Sequence, residues 1–187
     1  MNSLKYVLFS IPLLVVMYFF NFNDKKASKT TGTELVWLTD VEEAYKISKK
    51  TKRPILANFT GSDWCGWCHK LSGEVFDTPE FKKWSDKNVV LLELDFPRKK
   101  EQDEKTKAQN NSLMQFFQVQ GFPTIWLFGM DKDEATKKFT INPIGKTGYL
   151  KGGPQVFIDA IEQMIQQQKD KIKAEKNMPQ PVGKNQG

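Results

Sequence analysis

Two cysteines and one histidine lie close together in the sequence, and they are the residues best suited to chemistry. Cys65 and Cys68 are the only cysteines of the 187-residue chain and are separated by two residues. His69, the only histidine, follows directly. This spacing fits three kinds of site: a redox dithiol, a covalent haem attachment site, or half of a metal site. The rest of the sequence must distinguish between them.

The sequence on either side of the cysteines predicts the elements that hold them. Residues 54–59 and 89–94 are short apolar runs bounded by turn residues, a pattern typical of central strands buried on both faces of a sheet. A helix is predicted to begin at Cys65 and to run to about Val75. Strand, helix and strand at this spacing indicate a βαβ unit with a parallel pair of strands and a right-handed crossover.

Capping signals and hydrophobic periodicity predict further helices. Thr39 as N-cap and Glu42 three residues later form a capping box, which predicts a helix over about residues 40–50. Pro79 occupies the first position of the next helix. A long helix begins at residues 152–154, and its apolar residues recur at helical spacing and are expected to pack in the core: Val156, Phe157, Ala160, Ile161, Met164 and Ile165.

Two further strands are predicted after residues 121–123, where Gly-Phe-Pro ends a helix. Residues 124–128 form an apolar strand, and a second strand within residues 137–144 is expected to pair with it as an antiparallel hairpin. Residues 98–107 are too polar to bury. We interpret them as a solvent-facing loop and helix start without a chemical role.

The composition is that of an ordinary globular protein, with 39% hydrophobic and 27% charged residues. The net charge of +6 comes mainly from lysines that are dispersed among acidic residues. This distribution favours a solvated basic surface over a nucleic-acid-binding surface. The length fits one domain. We expect this domain at residues 34–173, after a linker at residues 23–33 and before a polar tail at residues 174–187.

The N-terminus is predicted to direct the protein to a membrane. Lys5 precedes an apolar run over residues 6–20, which matches the hydrophobic region of a signal peptide and is shorter than the ~20 residues of a comfortable membrane span. No clear cleavage site follows, so residues 1–22 are interpreted as either a signal peptide or an uncleaved membrane anchor. Both alternatives predict an exported protein, in the periplasm or another extracytoplasmic compartment.

The motif F-T-G-S-D-W-C-G-W-C at residues 59–68, together with G-F-P-T at residues 121–124, resembles the thioredoxin-like family and especially its exported bacterial branch. L-D-F-P at residues 94–97 and T-G-Y at residues 147–149 strengthen the resemblance. It covers about residues 34–170. The resemblance implies an α/β, thioredoxin-like fold with a central mixed β-sheet flanked by helices and with the cysteines at a helix N-terminus.

The resemblance also implies a division of roles between the two cysteines. Cys65 would be the nucleophile, because the free amides at a helix N-terminus lower the pKa of the first thiol in such motifs from ~8.5 to about 3.5–7.5. Cys68, one turn further along and more buried, would resolve the mixed disulfide. The same atoms serve reduction and oxidation. We favour reduction, because a membrane-anchored domain in an oxidising compartment would need a partner that keeps it reduced.

Four further residues are implied in substrate binding. Pro123 would be a cis-proline opposite the cysteines, and the backbone of Phe122 would pair with an extended substrate segment. Trp64 and Trp67 would form an apolar platform, although packing is an equally good interpretation. The resemblance implies no metal and no cofactor besides the redox-active cysteine pair. The expected partners are protein thiols and disulfides and a membrane or exported electron-transfer protein, and the protein itself is expected to be a monomer.

One departure from the family pattern concerns acid–base chemistry. Thioredoxins usually carry a buried acid upstream of the motif, and this position is Asn58 or Phe59 here. Asp63 is expected at the surface and Glu93 on the neighbouring strand, and neither is assigned the role. His69 is interpreted as a partly exposed helix residue without catalytic weight.

Three alternatives remain to be considered from the residues alone. C-x-x-C-H also fits haem attachment with His69 as an axial ligand, but the predicted buried strands disagree with the mostly helical small c-type cytochromes. A structural zinc site needs four ligands, and two cysteines with one histidine leave it short. In the third alternative the domain is a binding module with a non-catalytic Cys65–Cys68 disulfide, although so short a loop stabilises little.

Overall fold

Six helical segments and four strands lie within residues 35–177, the part of the chain that this computed structural model describes. In chain order the elements are α1 (Val41–Thr51), β1 (Ile55–Thr60), α2 (Gly66–Leu71), a π-helical segment (Ser72–Phe76), α3 (Pro79–Asn88), β2 (Val90–Asp95), α4 (Glu104–Phe116), β3 (Thr124–Lys132), β4 (Phe139–Thr147) and α5 (Gly153–Asn177). The signal peptide or membrane anchor predicted at residues 1–22 and the linker at residues 23–33 lie outside the described residues. Within residues 35–177, no helix has both the length and the apolar character needed to cross a membrane.

The strands form one mixed sheet in the order β2-β1-β3-β4. β1 pairs with β2 in parallel and with β3 in antiparallel orientation, and β3 and β4 form an antiparallel hairpin. The predicted βαβ unit and hairpin are therefore confirmed. The prediction that β2 is a central strand is wrong, because β2 lies at the edge of this sheet. Its apolar run has another cause: both faces are covered, and Leu38 forms a parallel bridge to Leu92 on the outer side.

The start of α1 shows which capping group the chain uses. The Asp40 carboxylate accepts hydrogen bonds from the amides of Glu42 and Glu43 at 2.8 and 3.0 Å. Asp40 is therefore the N-cap, and the prediction of Thr39 is wrong. The physical reason is charge, because a carboxylate is a stronger acceptor than a hydroxyl and also interacts favourably with the positive end of the helix.

The sheet separates two hydrophobic clusters, and alternate side chains of β1 enter one or the other. Leu56 belongs to the cluster that is formed with α2, the π-helical segment, α3 and α5. Ile55, Ala57 and Phe59 belong to the cluster on the opposite face, against α1 and α4. The predicted α/β fold, a central mixed sheet flanked by helices, is therefore confirmed, and β1 is its fully buried central strand.

The buried face of α5 begins one residue later than predicted, at Phe157 instead of Val156. Phe157, Ile158 and Ile161 are buried, whereas Val156 is 44% exposed. Val156 lies over Gly152, where an added Cβ would be 2.7 Å from its Cγ2. The predicted core position of Val156 is therefore wrong, because this side chain covers the start of the helix instead of the sheet.

Candidate active site

The helix that carries the cysteines, α2, begins just after the central strand β1 and is called the redox helix below. Cys65 is its N-cap, in an extended backbone conformation, and the Cys65 Sγ accepts a hydrogen bond from the amide of Cys68 at 3.2 Å. The two sulfurs are joined in a disulfide, with the Cα atoms 5.2 Å apart. Each cysteine is 6% exposed. The expectation that Cys68 is the more buried one is therefore wrong, and the two sulfurs differ in hydrogen bonding instead.

The loop between β1 and the redox helix is fixed at Ser62. The Asp95 carboxylate, at the end of β2, accepts hydrogen bonds from the Ser62 amide at 2.8 Å and from its hydroxyl at 2.6 Å. The exposed ring of His69 reaches back to the same loop, with Nε2 at 2.8 Å from the Ser62 carbonyl oxygen. Since a carbonyl oxygen only accepts, this Nε2 carries a proton. His69 therefore holds the loop that leads to Cys65, a contact that the sequence did not indicate.

Asp63 organises the loop that follows β2. Its carboxylate accepts hydrogen bonds from the consecutive amides of Arg98, Lys99 and Lys100, over 2.7 to 3.2 Å. The amide of Arg98, followed by those of Lys99 and Lys100, holds the pKa of Asp63 below its usual value. The loop of residues 98–100 is thus attached to the residues that lead to Cys65.

This attachment should respond to the charge on Asp63. A lowered folded-state pKa means that the carboxylate stabilises the loop at and above the usual aspartate pKa of about 3.9, and that this stabilisation is lost as the pH falls through the lower folded-state value. In an NMR titration, the amide proton shifts of Arg98, Lys99 and Lys100 should move together, with a midpoint below that of an unperturbed aspartate. Asp63→Ala should abolish the shared titration.

Asp133 offers a matched control for this titration. Its carboxylate accepts hydrogen bonds from the amides of Ala135 and Thr136, and the amide of Thr136 is the main cause of its lowered pKa. Asp133→Ala should remove the titration of those amides and leave residues 98–100 unchanged. A shared midpoint at residues 98–100 that persists in Asp63→Ala would show that the assignment is wrong.

Trp64 is packed between the redox loop and the loop before β3. Its Nε1 donates a hydrogen bond to the Phe96 carbonyl oxygen at 2.8 Å, and its ring meets that of Phe122 edge to face. Gly61 leaves room for the indole, since an added Cβ at this position would clash with the Trp64 ring. The Arg98 guanidinium lies 3.7 Å from the centre of the Trp64 ring. Residues 98–107 are a largely exposed loop followed by the start of α4, as predicted, and within this loop Arg98 covers the indole of Trp64.

Trp67, between the two cysteines, presents an exposed ring beside them. It is 58% exposed, and its ring centre lies 5.2 Å from that of Tyr149. The Lys70 Nζ lies 5.1 Å from the Trp67 ring centre and 5.2 Å from that of Tyr149. The Tyr149 hydroxyl donates a hydrogen bond to Glu74 at 2.5 Å, which raises the pKa of Tyr149. Trp67 and Tyr149 together form what is called the aromatic surface below.

The Phe122–Pro123 peptide bond is cis. The contact of Phe122 with Trp64 attaches this loop to the redox loop. On its other side the loop approaches Gly148, where an added Cβ would be 3.2 Å from the Pro123 carbonyl oxygen. Tyr149 follows directly, so the same approach brings the aromatic surface next to the cis-proline. Trp64 therefore contacts the cis-proline loop directly, through Phe122, and Trp67 is linked to it through Tyr149 and the neighbouring Gly148.

The arrangement supplies few candidate metal ligands. Among residues 35–177, no three His, Cys, Asp or Glu side chains are grouped so that they could hold a metal ion. His69 contacts Ser62, and the sulfurs of Cys65 and Cys68 are bonded to each other. The chemistry that this geometry can carry out is exchange of the Cys65–Cys68 disulfide with another dithiol or disulfide.

A C-x-x-C disulfide at the start of a helix, directly after the central strand and beside a cis-proline loop, defines a dithiol–disulfide protein of thioredoxin-like architecture. The profile of the thioredoxin-like domain matches residues 41–138, just over half of the chain. The chain belongs to the thioredoxin-like domain family.

Two proteins of Chlamydia pneumoniae are similar to this chain. Disulfide bond reductase DsbH is 28% identical over 123 residues, which cover 66% of this chain and 69% of that protein. Thioredoxin-related protein DsbJ is 32% identical over 108 residues, which cover 58% of this chain and 31% of the longer DsbJ.

Solved structures agree with these relatives. A structure of a DsbH oxidoreductase superposes with a TM-score of 0.63 at 28% identity, over 77% of this chain and 93% of that chain. A thioredoxin from Thermus thermophilus shares the fold, with a TM-score of 0.51 at 13% identity over 71% of this chain and 88% of that chain. The chain is thus a thioredoxin-like thiol–disulfide oxidoreductase.

Proposed function

We propose that the protein reduces disulfide bonds in protein substrates, with Cys65 as the attacking nucleophile and Cys68 as the resolving cysteine. The observation that carries this proposal is the position of Cys65 as N-cap, where its Sγ accepts the amide of Cys68. An amide donor favours the charged form of the sulfur and therefore lowers the pKa of the reduced Cys65 thiol. The similarity to a protein named disulfide bond reductase supports the reductive direction.

The proposed reaction moves two electrons in two steps. The Cys65 thiolate attacks one sulfur of the substrate disulfide, the S–S bond breaks, and the other substrate sulfur leaves as a thiolate. In the resulting mixed disulfide, Cys68 loses its proton and attacks the Cys65 Sγ. The second substrate sulfur leaves and the Cys65–Cys68 disulfide forms. A membrane or exported electron-transfer partner then returns two electrons to the pair.

Substrate binding is proposed for Trp64, Trp67, Phe122 and Pro123. An extended substrate segment would pair with the Phe122 backbone next to Pro123, as added strands do. Trp67 is the better platform of the two tryptophans because 58% of it is exposed. The Trp64 ring and Nε1 are already engaged in contacts within the protein.

Truncation of Trp67 should therefore weaken catalysis without weakening the fold. Trp67→Ala is expected to lower kcat/KM for a peptide disulfide about tenfold, the effect of losing ~1.4 kcal/mol of aromatic contact with the substrate. The control is Phe116→Ala, which truncates another exposed ring, 51% exposed, at the end of α4. An unchanged kcat/KM in Trp67→Ala would contradict its assignment as a platform.

The direction of the reaction can be tested by running it both ways with the same purified protein. Reduced protein is mixed with a peptide disulfide, and oxidised protein with the corresponding dithiol, in the same glutathione buffer. Reduction should be the faster reaction, and a difference in potential of ~30 mV already changes the equilibrium energy by about 1.4 kcal/mol. Faster oxidation would reverse the proposed direction. No acceleration in either direction would favour a binding module with a static disulfide.

We propose an extracytoplasmic location for the domain. The apolar run at residues 6–20 supports export, and a compartment in which disulfides form supplies the substrates. In this proposal residues 1–22 are the signal peptide or anchor, residues 23–33 the linker, residues 34–173 the domain and residues 174–187 a polar tail. Fractionation of cells that express the full chain, and the chain without residues 1–22, tests it. The full chain should be found in the exported fraction and the shortened chain in the cytoplasm.

A further inference from the structure

A buried amide oxygen in the central strand lacks a hydrogen-bond donor. Asn58 is 6% exposed in β1, and its Oδ1 has no partner among the residues that the structure describes. Leaving such a buried group unpaired destabilises the fold. A nearby group that supplies a donor in one of its protonation states would remove this cost.

Glu93 is the neighbour of Asn58 across the parallel strands. The two residues are register partners in β2 and β1. Leu56 and Leu91, two positions before each of them, belong to the cluster that also contains Leu71 of the redox helix. Because strand side chains alternate between faces, Asn58 and Glu93 lie on the face that the redox helix covers.

The resolving cysteine belongs to the same layer. Cys68 and Leu71 are the buried residues of the redox helix. This helix starts just after the loop that leaves β1, so its first turn lies over the carboxyl end of that strand. Asn58 is close to this end, two residues before Thr60, and Glu93 is beside it. Cys68 and Glu93 therefore lie on the same side of the sheet, near the carboxyl ends of β1 and β2.

The surroundings of Glu93 favour its neutral form. Burial raises the pKa of Glu93, the charge of Asp95 on the same strand raises it further, and Lys100 acts in the opposite direction. The side chains facing this layer from β1 and from the inner side of the redox helix are uncharged, and so are residues 35–39 along the outer edge of β2. A neutral carboxyl group carries the O–H donor that Asn58 Oδ1 lacks, whereas a carboxylate can only accept.

We propose that Glu93, as a carboxylate, accepts the proton of Cys68 when the mixed disulfide is resolved, and that the neutral Glu93 formed in this step donates a hydrogen bond to Asn58. The inference rests on the proposed function and adds a residue to its second step. The Cys68 thiol gives its proton to the Glu93 carboxylate, directly or through one water molecule. The Cys68 thiolate attacks the Cys65 Sγ, the bond between Cys65 and the substrate breaks, and the substrate leaves as a thiolate. Glu93 then donates to Asn58 and later returns its proton to water.

A single kinetic trace can separate the two steps. The reduced full-length protein is mixed with one equivalent of a symmetrical nitrobenzoate disulfide, whose released thiolate is coloured. The first release reports attack by Cys65 and the second reports attack by Cys68. The chain has two cysteines, so no other thiol contributes. Stopped-flow absorbance from acidic to mildly alkaline pH gives the pH profile of each step.

Glu93→Gln should slow only the second step. The change is nearly isosteric, and the amide still offers Asn58 a donor, so the fold and the first step are retained. At neutral pH the second step should slow by about 100-fold, as expected for loss of a proton acceptor. In the native protein its rate should rise with pH below the range where a free thiol ionises, near 8.5. Glu93→Gln should remove this rise of the second-step rate with pH. Glu93→Asp should keep the rise, with lower rates throughout.

Glu175→Gln, at the exposed end of α5, is the control and should show both native steps. A native pH profile of the second step in Glu93→Gln would overturn the inference, and so would an equal slowing of both steps, which indicates a merely structural role. A native protein that never releases the second thiolate would overturn the proposed function as well. The inference is supported if the rate of the second step loses its pH dependence at acidic pH in Glu93→Gln and keeps it in Glu175→Gln.

Discussion

Replacing Cys68 with alanine should convert the protein into a trap for its own substrates. Without the resolving sulfur, the Cys65 thiolate still attacks a substrate disulfide, but no internal thiol can release the product. Mixed disulfides between Cys65 and its substrates, which a reductant cleaves, should accumulate until most of the protein is bound to substrate. Turnover should fall to the uncatalysed level. Non-reducing electrophoresis shows the complexes, and mass spectrometry of the attached segments identifies the substrates and the bond at Cys65.

Cys65→Ala is the matched control, since it leaves Cys68 as the single thiol of the chain. Cys68 lies within the first turn and lacks the N-cap position, so its thiol should be much less ionised and should capture little. Equal capture by the two variants would contradict the assignment of nucleophile and resolving cysteine. No capture of a peptide disulfide by Cys68→Ala would favour the binding-module alternative.

Phe117→Ala should cause the largest loss of stability among the changes considered, about 3–5 kcal/mol in the free energy of unfolding. The residue is 5% exposed at the end of α4, and its ring meets three other buried or half-buried rings. The ring centres lie 5.9 Å away for Phe59, 4.8 Å for Trp126 and 5.1 Å for Phe128. Urea unfolding of the oxidised protein measures the loss.

The preceding residue provides the control for this measurement. Phe116 is 51% exposed and meets the Phe117 ring at 5.0 Å. Phe116→Ala should change the free energy of unfolding by no more than about 1 kcal/mol, since an exposed ring leaves no cavity. Similar losses in the two variants would show that the cluster at this face is not the main source of stability.

Local signals in the sequence were sufficient to predict most of the fold. Pro79 correctly predicted the start of α3, because the fixed φ and the missing N–H of proline suit the first position of a helix. The edge position of β2 was not predictable in the same way. An edge strand that is covered on its outer side by an irregular segment has the same apolar pattern as a central strand, and only the tertiary structure distinguishes them.

The candidate active site likewise has features with a local sequence signal and features that depend on the tertiary structure. The cysteine motif is local, so its place at the start of a helix after a buried strand could be predicted from neighbouring residues. Asp63 and the amides of residues 98–100 are 35 to 37 positions apart, and Ser62 and Asp95 are 33 apart. Nothing in the sequence pairs such distant polar groups, because the pairing follows from the ends of β1 and β2 lying side by side.

The bridge at Leu38 has a consequence for self-association. An open sheet edge can recruit a strand from another molecule and start a polymer. Along β2, Leu38 already binds the carbonyl oxygen of Leu91 and the amide of Glu93, at 3.0 and 2.7 Å. The opposite edge strand, β4, contains Pro143, which has no N–H to donate. Both edges of the sheet are therefore poor templates for pairing with a strand of another molecule. We expect the domain not to polymerise through its sheet edges in concentrated solution.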